Sequence, residues 1–372
     1  MTMTRLPWNE LSAAVPRAQF IPDVIWVSDG EGGFVALSRH DDLAGWQAAV
    51  QANRFVVTQV DDGHTPPGGK GQTPTSSCSM PSVVAAMLAA LGPQPGHRVL
   101  EIGTGTGWNA ALLARLVGDR GHVVTVEVDP DIAEYARVRL RDHGPLVVTG
   151  DGARGHPPAA PYDRVIATAS IRETVPWPWI QQLRPGGRLI APWGTNWCNG
   201  FQLTATRTPG GLTGRFSGDL VFMRMRAQRR TCWEPSDDEI QQAVTSTTVC
   251  NGVDLDRMRN PTLGLFAIGA KLDHICAHTY WNTLGRYHHL LEFDDAATRS
   301  WARLDADLNG TEPNTVLELG PRRLWDEIEA AYDWWHETGE PGMDRFGLEA
   351  AGGRQWLWLD EPDHTVRVLT EA

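Results

Sequence analysis

The chain has 372 residues, 41% hydrophobic and 21% charged, a length that suits two packed cores better than one. A formal net charge of −12 argues against a protein that grips nucleic-acid backbones, and no long apolar run opens the chain, so neither signal peptide nor membrane span is expected. Cys78, Cys198, Cys232, Cys250 and Cys276 are odd in number and lack C-x-x-C spacing, which fits free thiols in a reducing cytoplasm.

Residues 1–78 mix short elements with "DDGHTPPGGKGQTPTSS" (Asp61 to Ser77), whose Pro, Gly and Thr content disfavours regular structure. A loop of that length, within an N-terminal cap, is expected to be a lid, a binding loop or disordered. From 79 to 226 the texture alternates. "SVVAAMLAAL", "NAALLARLV" and "DIAEYARVRL" read as helices, interleaved with strands "RVLEIG", "HVVTVEV", "PLVVTGD", "YDRVIATA" and "GRLIAPW". Apolar strands joined by helices imply a parallel sheet covered on both faces, and "GDLVFMRMR" reads as a last, alternating strand. From Ala227 to 372 the alternation is lost. A helix is expected in "PRRLWDEIEAAYDWWHETG", where Leu324, Ile328, Ala331 and Trp335 share one face and Gly339 suits the cap, followed by strand-like "RQWLWLDEP" and "TVRVL".

"VLEIGTGTGWN" places Gly103, Gly105 and Gly107 between a strand and a helix, where a ligand can lie against backbone N–H groups. A dinucleotide fingerprint, G-x-G-x-x-G, would need glycine at the position of Trp108. Glu101 precedes the first glycine, Glu127 ends the next strand, where a carboxylate can accept both ribose hydroxyls, and Asp151 ends the third, placed for an adenine amino group. Each acid read singly is also a turn former or helix cap. The order E-x-G-x-G-x-G resembles motif I of class I S-adenosylmethionine-dependent methyltransferases, a Rossmann-like α/β fold with a mostly parallel seven-stranded sheet, to which the chain adds a C-terminal α+β region.

Over roughly residues 10 to 226 the chain resembles the protein L-isoaspartyl (D-aspartyl) O-methyltransferases. The resemblance rests on "VPRAQFIP", "SCSMPSVVAAML", "VLEIGTGTGWNAALLARL", "VTVEVDPDIAEYA", "GDGARG", "PYDRVIATAS" and "QLRPGGRLIAPWG". It implies S-adenosylmethionine as cofactor, S-adenosylhomocysteine as product, and a carboxylate methylated on oxygen without a metal. The implied cofactor residues are Ser79, Glu101, Gly103, Thr104, Gly105, Gly107, Glu127, Val128, Asp151 and Gly152. Substrate contacts fall on Ser77, Ser79, Thr168, Ala169 and Ser170, with Ser79 catalytic; Ser77 stands where the family has threonine, and Cys78 where it prefers an aliphatic residue. The alternative for Ser79 is a plain N-cap of the helix near Pro81.

Two substrates share this chemistry: isoaspartate in damaged proteins, or a normal aspartate in a ribosomally synthesised precursor peptide, with or without rings, which becomes an aspartimide or isoaspartate. The segment 227–372 favours the peptide reading, because a simple repair enzyme ends near "VFMRMR" and "LGPRRLWDEIEAAYDWWHETGEPGMDRFGL" resembles the appended region of peptide-modifying homologues. That segment holds eight of the 16 tryptophans, expected either to fill a small core or to anchor a peptide. A protein that binds the cofactor or a peptide without catalysis is the other class. His274 and His278 could share a helix face as metal ligands, although the pattern is not H-E-x-x-H and His288 and His289 are adjacent. Core or surface histidines are expected instead, with no metal, nucleic acid or membrane as partner.

Overall fold

A computed structural model describes residues 7–250, 252–280, 288–307 and 314–369. At the N-terminal end, helices Trp8–Ala14 and Leu43–Gln51 pack with an antiparallel sheet in the order Phe34–Ser38, Val24–Ser28, Val56–Val60, Pro74–Cys78. The stretch expected to be irregular is therefore ordered at both ends. Its last four residues belong to the strand Pro74–Cys78, and its first residue organises the rest: the Asp61 carboxylate accepts from the Thr65 hydroxyl at 2.7 Å and from the N–H groups of Gln72 and Thr73 at 2.9 and 2.8 Å. Aspartate closing its own turn in this way substitutes side-chain acceptors for a backbone ladder.

The main sheet takes ten strands in one path: β1 (Arg98–Ile102), β2 (His122–Glu127), β3 (Leu146–Thr149), β4 (Tyr162–Ala167), β5 (Leu183–Gly194), β6 (Asn199–Thr208), β7 (Gly211–Asp219), β8 (Phe346–Ala351), β9 (Arg354–Leu359) and β10 (Thr365–Leu369). Their order in space is β10-β9-β8-β7-β6-β5-β4-β1-β2-β3. Strands β3 to β5 are parallel and everything beyond β5 is antiparallel, so the expected methyltransferase fold is present as a parallel core inside a longer mixed sheet. Alternate residues explain why both faces are dry. Val99, Val123, Ile166 and Ile190 pack into one core with the helices Pro81–Leu91, Trp108–Val117 and Pro130–Leu140. Leu100, Val124, Val165 and Leu189 pack into the other, which is completed by Phe266, Trp325 and Trp335 from the C-terminal region.

"GDLVFMRMR" is not a strand beyond Asp219. The strand sits one segment earlier, in the glycine-rich and threonine-rich β7, where the alternation is too weak to see. Val221 to Met225 instead cross the strand ends, held where the Ser170 N–H donates to Met223 O at 2.8 Å and the Met225 N–H to Ser170 O at 3.0 Å.

Beyond Ala227 a second antiparallel sheet forms, in the order Val244–Thr248, Asn314–Leu319, Ser300–Asp307, His288–Asp295, Cys276–Tyr280. The helix Leu324–Glu337 covers it with the expected face buried, and Gly339 follows at φ +82°. Trp301, Trp325, Trp335 and Trp358 are buried, so these four serve the core; Trp281 lies outside the described residues. The boundary expected at residue 227 is crossed again near the end of the chain, where β8 pairs with β7 and returns the C-terminal segment to the main sheet.

Candidate active site

A cavity of about 490 Å³ opens at the carboxyl ends of β1, β2 and β4, within the size range of small-molecule sites and at the point where the strand order reverses. Its floor is the loop between β1 and the helix Trp108–Val117. Gly103, Gly105 and Gly107 have φ of +93°, +51° and +87°, a region that disfavours any side chain. A Cβ on Gly103 would stand 2.8 Å from Thr168 Oγ1, and one on Gly105 would stand 3.3 Å from Ser77 O. Gly107 answers a different neighbour, Leu140 at 3.1 Å, and does not line the cavity. The expected ligand contact at Gly107 is thus replaced by packing of the loop on helix Pro130–Leu140.

Glu101 is fully buried. Its carboxyl accepts from Asn109 Nδ2 at 2.7 Å and Thr125 Oγ1 at 2.6 Å, while the Thr104 hydroxyl pairs with Thr125 at 2.7 Å. Burial pushes its pKa up to about 7, against the two hydrogen bonds. Glu101 and Thr104 therefore brace the loop from behind. Glu127 at the end of β2 accepts from the Gly105 N–H at 2.9 Å and the Asp129 N–H at 3.2 Å, and burial raises its pKa as well. Each of its oxygens retains acceptor capacity for a vicinal diol. Asp151 lies exposed at the cavity edge and accepts from the Ala153 N–H at 2.9 Å; Val128, Ile132 and Met225 supply apolar wall nearby.

Opposite the loop stands the turn Ser77 to Met80. Ser79 does not cap the next helix, which begins after Met80 with no side-chain cap, so its hydroxyl remains free to meet a ligand at the cavity wall. The turn is fixed from behind by Arg17. Its guanidinium donates to the carbonyls of Cys78 and Ser79 at 2.9 Å each, and to Val50, Ala52 and Arg54 at 3.0, 3.3 and 2.7 Å. Cys78 is buried, and that burial raises its thiol pKa, as expected of a small hydrophobe.

Ser77, Thr168, Ala169 and Gly152 also line the cavity, but Ser170 does not: it is fully buried, its hydroxyl given to Asn199. Sequence reasoning missed Asn109, Phe55 and the whole wall from Val221 to Arg229. Within that wall Arg226 pairs with Asp129 at 2.7 Å and Asp62 at 3.1 Å, and Arg229 also pairs with Asp62, tying the Asp61 turn to the cavity rim.

The donor set fits S-adenosylmethionine: a glycine floor that a Cβ would obstruct, a strand-end carboxylate for ribose hydroxyls, and a second acid beside an apolar wall for adenine. Fold and cavity together define a class I S-adenosylmethionine-dependent methyltransferase. The family model of protein-L-isoaspartate(D-aspartate) O-methyltransferase matches residues 68–225. A protein-L-isoaspartate O-methyltransferase of Methanopyrus kandleri is 40% identical over 161 residues, 42% of this chain and 69% of the relative. That of Ignicoccus hospitalis is 46% identical over 129 residues, 34% of this chain and 59% of the relative. A solved protein-L-isoaspartate O-methyltransferase superposes with a TM-score of 0.52 at 20% identity, covering 95% of both chains, which supports the fold throughout. The chain belongs to the protein-L-isoaspartate(D-aspartate) O-methyltransferase family. Among the described residues no helix is long and apolar enough to cross a membrane.

Proposed function

We propose that this enzyme methylates the side-chain carboxylate of an aspartate in a ribosomally synthesised precursor peptide, leading to an aspartimide or isoaspartate. The observation that carries the chemistry is the Ser79 hydroxyl, which caps no helix and stands across the cavity from the Gly103–Gly105 loop on a turn whose backbone carbonyl accepts from Arg17. S-adenosylmethionine, when bound, supplies a methyl group activated by its sulfonium.

The residues of the chain do the rest by placement. Glu127 holds the ribose hydroxyls, Asp151 the adenine amino group, and the backbone at Gly103 and Gly105 allows close approach. The attacking carboxylate is already ionised at neutral pH, so no side chain need act as a base. Ser79 donates to one carboxylate oxygen and leaves the other free, and orientation of this kind lowers a barrier by several kcal/mol. Phe55 and Val221, both lining the cavity although 57% and 73% exposed, give the mouth an apolar surface against which a peptide can exclude water. In the released ester, the backbone nitrogen of the next residue attacks the carbonyl, methanol departs, and a five-membered imide forms. Water then opens the imide to aspartate or isoaspartate.

The dedicated-peptide reading is supported by the region after residue 226, which lies outside the stretch matched by the family model and leads straight from the cavity wall. Repair of damaged proteins is the second reading, supported by the names of the relatives and by a full-length solved counterpart of similar architecture. Labelled methyl donor, offered with any short peptide found encoded beside this gene and separately with a generic isoaspartyl peptide, separates them. A gain of one methyl group, followed by loss to one water below the starting mass, is expected on the encoded peptide. Turnover of the isoaspartyl peptide alone overturns the first reading, and labelling of neither with cofactor still bound points to a binding module. Ser79→Ala should lower turnover far more than cofactor affinity; equal turnover refutes its role.

A further inference from the structure

We propose that Cys232, Cys276, His278 and Asp294 form a binding site for a zinc-class divalent metal, which fastens the linker leaving the cavity wall to the C-terminal sheet. The ligand atoms of Cys232, His278 and Asp294 all lie within 4.8 Å of one another; Cys276 stands just outside that group, and its thiol has to turn inward to complete a set of four. Cys276 and His278 are two apart on the strand Cys276–Tyr280 and so share a sheet face. The antiparallel register sets Cys276 directly opposite Asp294, which brings the aspartate to that same face. Cys232 comes out of the linker between Arg229 and Ser236, with its thiol near that of Cys276.

Two sulfurs, an imidazole nitrogen and a carboxylate oxygen make a donor set that tetrahedral zinc accepts. Asp294 is only 1% exposed; its oxygens accept from His278 Nε2 at 2.7 Å and the Trp233 N–H at 2.9 Å. With metal bonds of about 2.0 Å, tetrahedral ligand atoms sit ~3.3 Å apart, so the His278–Asp294 contact needs to open by only about 0.6 Å. His274, four residues earlier, belongs elsewhere: it groups with Glu173 and Asp273, and its backbone turns at φ +58°. The helix-face pairing with His278 is thereby excluded. Spacing concealed the site because one ligand comes from a linker, two from one strand and the last from its neighbour. Arg229, three residues before Cys232, lines the cavity, so a metal here would pin that wall.

The test uses the untagged full-length chain, stripped with chelator and titrated with Zn²⁺ and with Co²⁺. Binding of one equivalent is expected, with a thiolate-to-cobalt charge-transfer band and tetrahedral d–d bands. Cys232→Ser, at an exposed position that should not disturb folding, and His278→Ala should each lose more affinity than the roughly 10–100-fold that loss of an outer-shell partner costs. Zn²⁺ should raise the melting temperature of the parent and not of Cys232→Ser. Cys198→Ser, outside the cluster, should bind as the parent does. Absence of the thiolate band, or binding unchanged in both ligand variants, overturns the proposal.

Discussion

Replacing Arg17 by lysine keeps the charge and most of the stem but removes the fork. The guanidinium reaches five carbonyls from two separate stretches of chain, whereas an ammonium has three donors at one point. At least two acceptors are therefore abandoned, among them buried ones, at about 1.5–3 kcal/mol for each bond to a charged donor. Allowing for water at the partly open acceptors, the net loss of stability is about 3 kcal/mol. The acceptors at Cys78 and Ser79 carry the second consequence: a turn displaced by ~1 Å can cost on the order of 100-fold in rate. Urea unfolding measures the first effect, and kcat beside cofactor affinity measures the second, with kcat falling and affinity retained. Parental stability together with parental kcat in the lysine variant would refute the reasoning. A stability loss with kcat intact would show that Arg17 braces the fold but not the turn.

Glu101→Gln should alter the pH dependence of stability. The unfolded carboxyl releases its proton near its ordinary 4.5 while the folded one keeps it to about 7, so the unfolded state binds fewer protons and the parent loses stability as pH rises through that window. The difference amounts to ~3 kcal/mol, and it should be nearly absent in the glutamine variant; parallel pH profiles of unfolding in the two proteins would contradict it. Gly103→Ala forces a Cβ to 2.8 Å from Thr168 Oγ1 at φ +93°, and should cost about 2–4 kcal/mol and most of the cofactor affinity, read by thermal melting and calorimetric titration with S-adenosylhomocysteine. A glycine-like melting temperature in that variant would place the steric demand elsewhere.

The glycine loop and its flanking acids were legible because a strand, a turn and a helix start follow one another within a few residues, and each carries a local signature. Ser79 became a site residue through resemblance, since its local pattern reads equally well as a cap; only the fold shows that the helix begins without one. Arg17 sits in plain view in "VPRAQFIP", but its acceptors at 50, 52, 54, 78 and 79 come together only in three dimensions. Ser170 was misjudged because chain proximity to Thr168 and Ala169 suggested a shared surface, whereas its hydroxyl turns inward to Asn199. The wall from Val221 to Arg229 was invisible for a related reason. Its alternation of large and charged residues is that of a strand, yet Met223 and Met225 pair with Ser170 in an isolated bridge rather than in a ladder.

The pairing of Gly211 with Ala351 gives the last part of the chain a say in when the whole becomes safe from misassembly. Until the ribosome has made residues 346–369, β7 is an open sheet edge of nine residues, a template for any passing strand. Shortening the gene after residue 226 would leave that edge bare permanently, so insolubility of such a fragment would report a missing neighbour rather than a missing substrate contact.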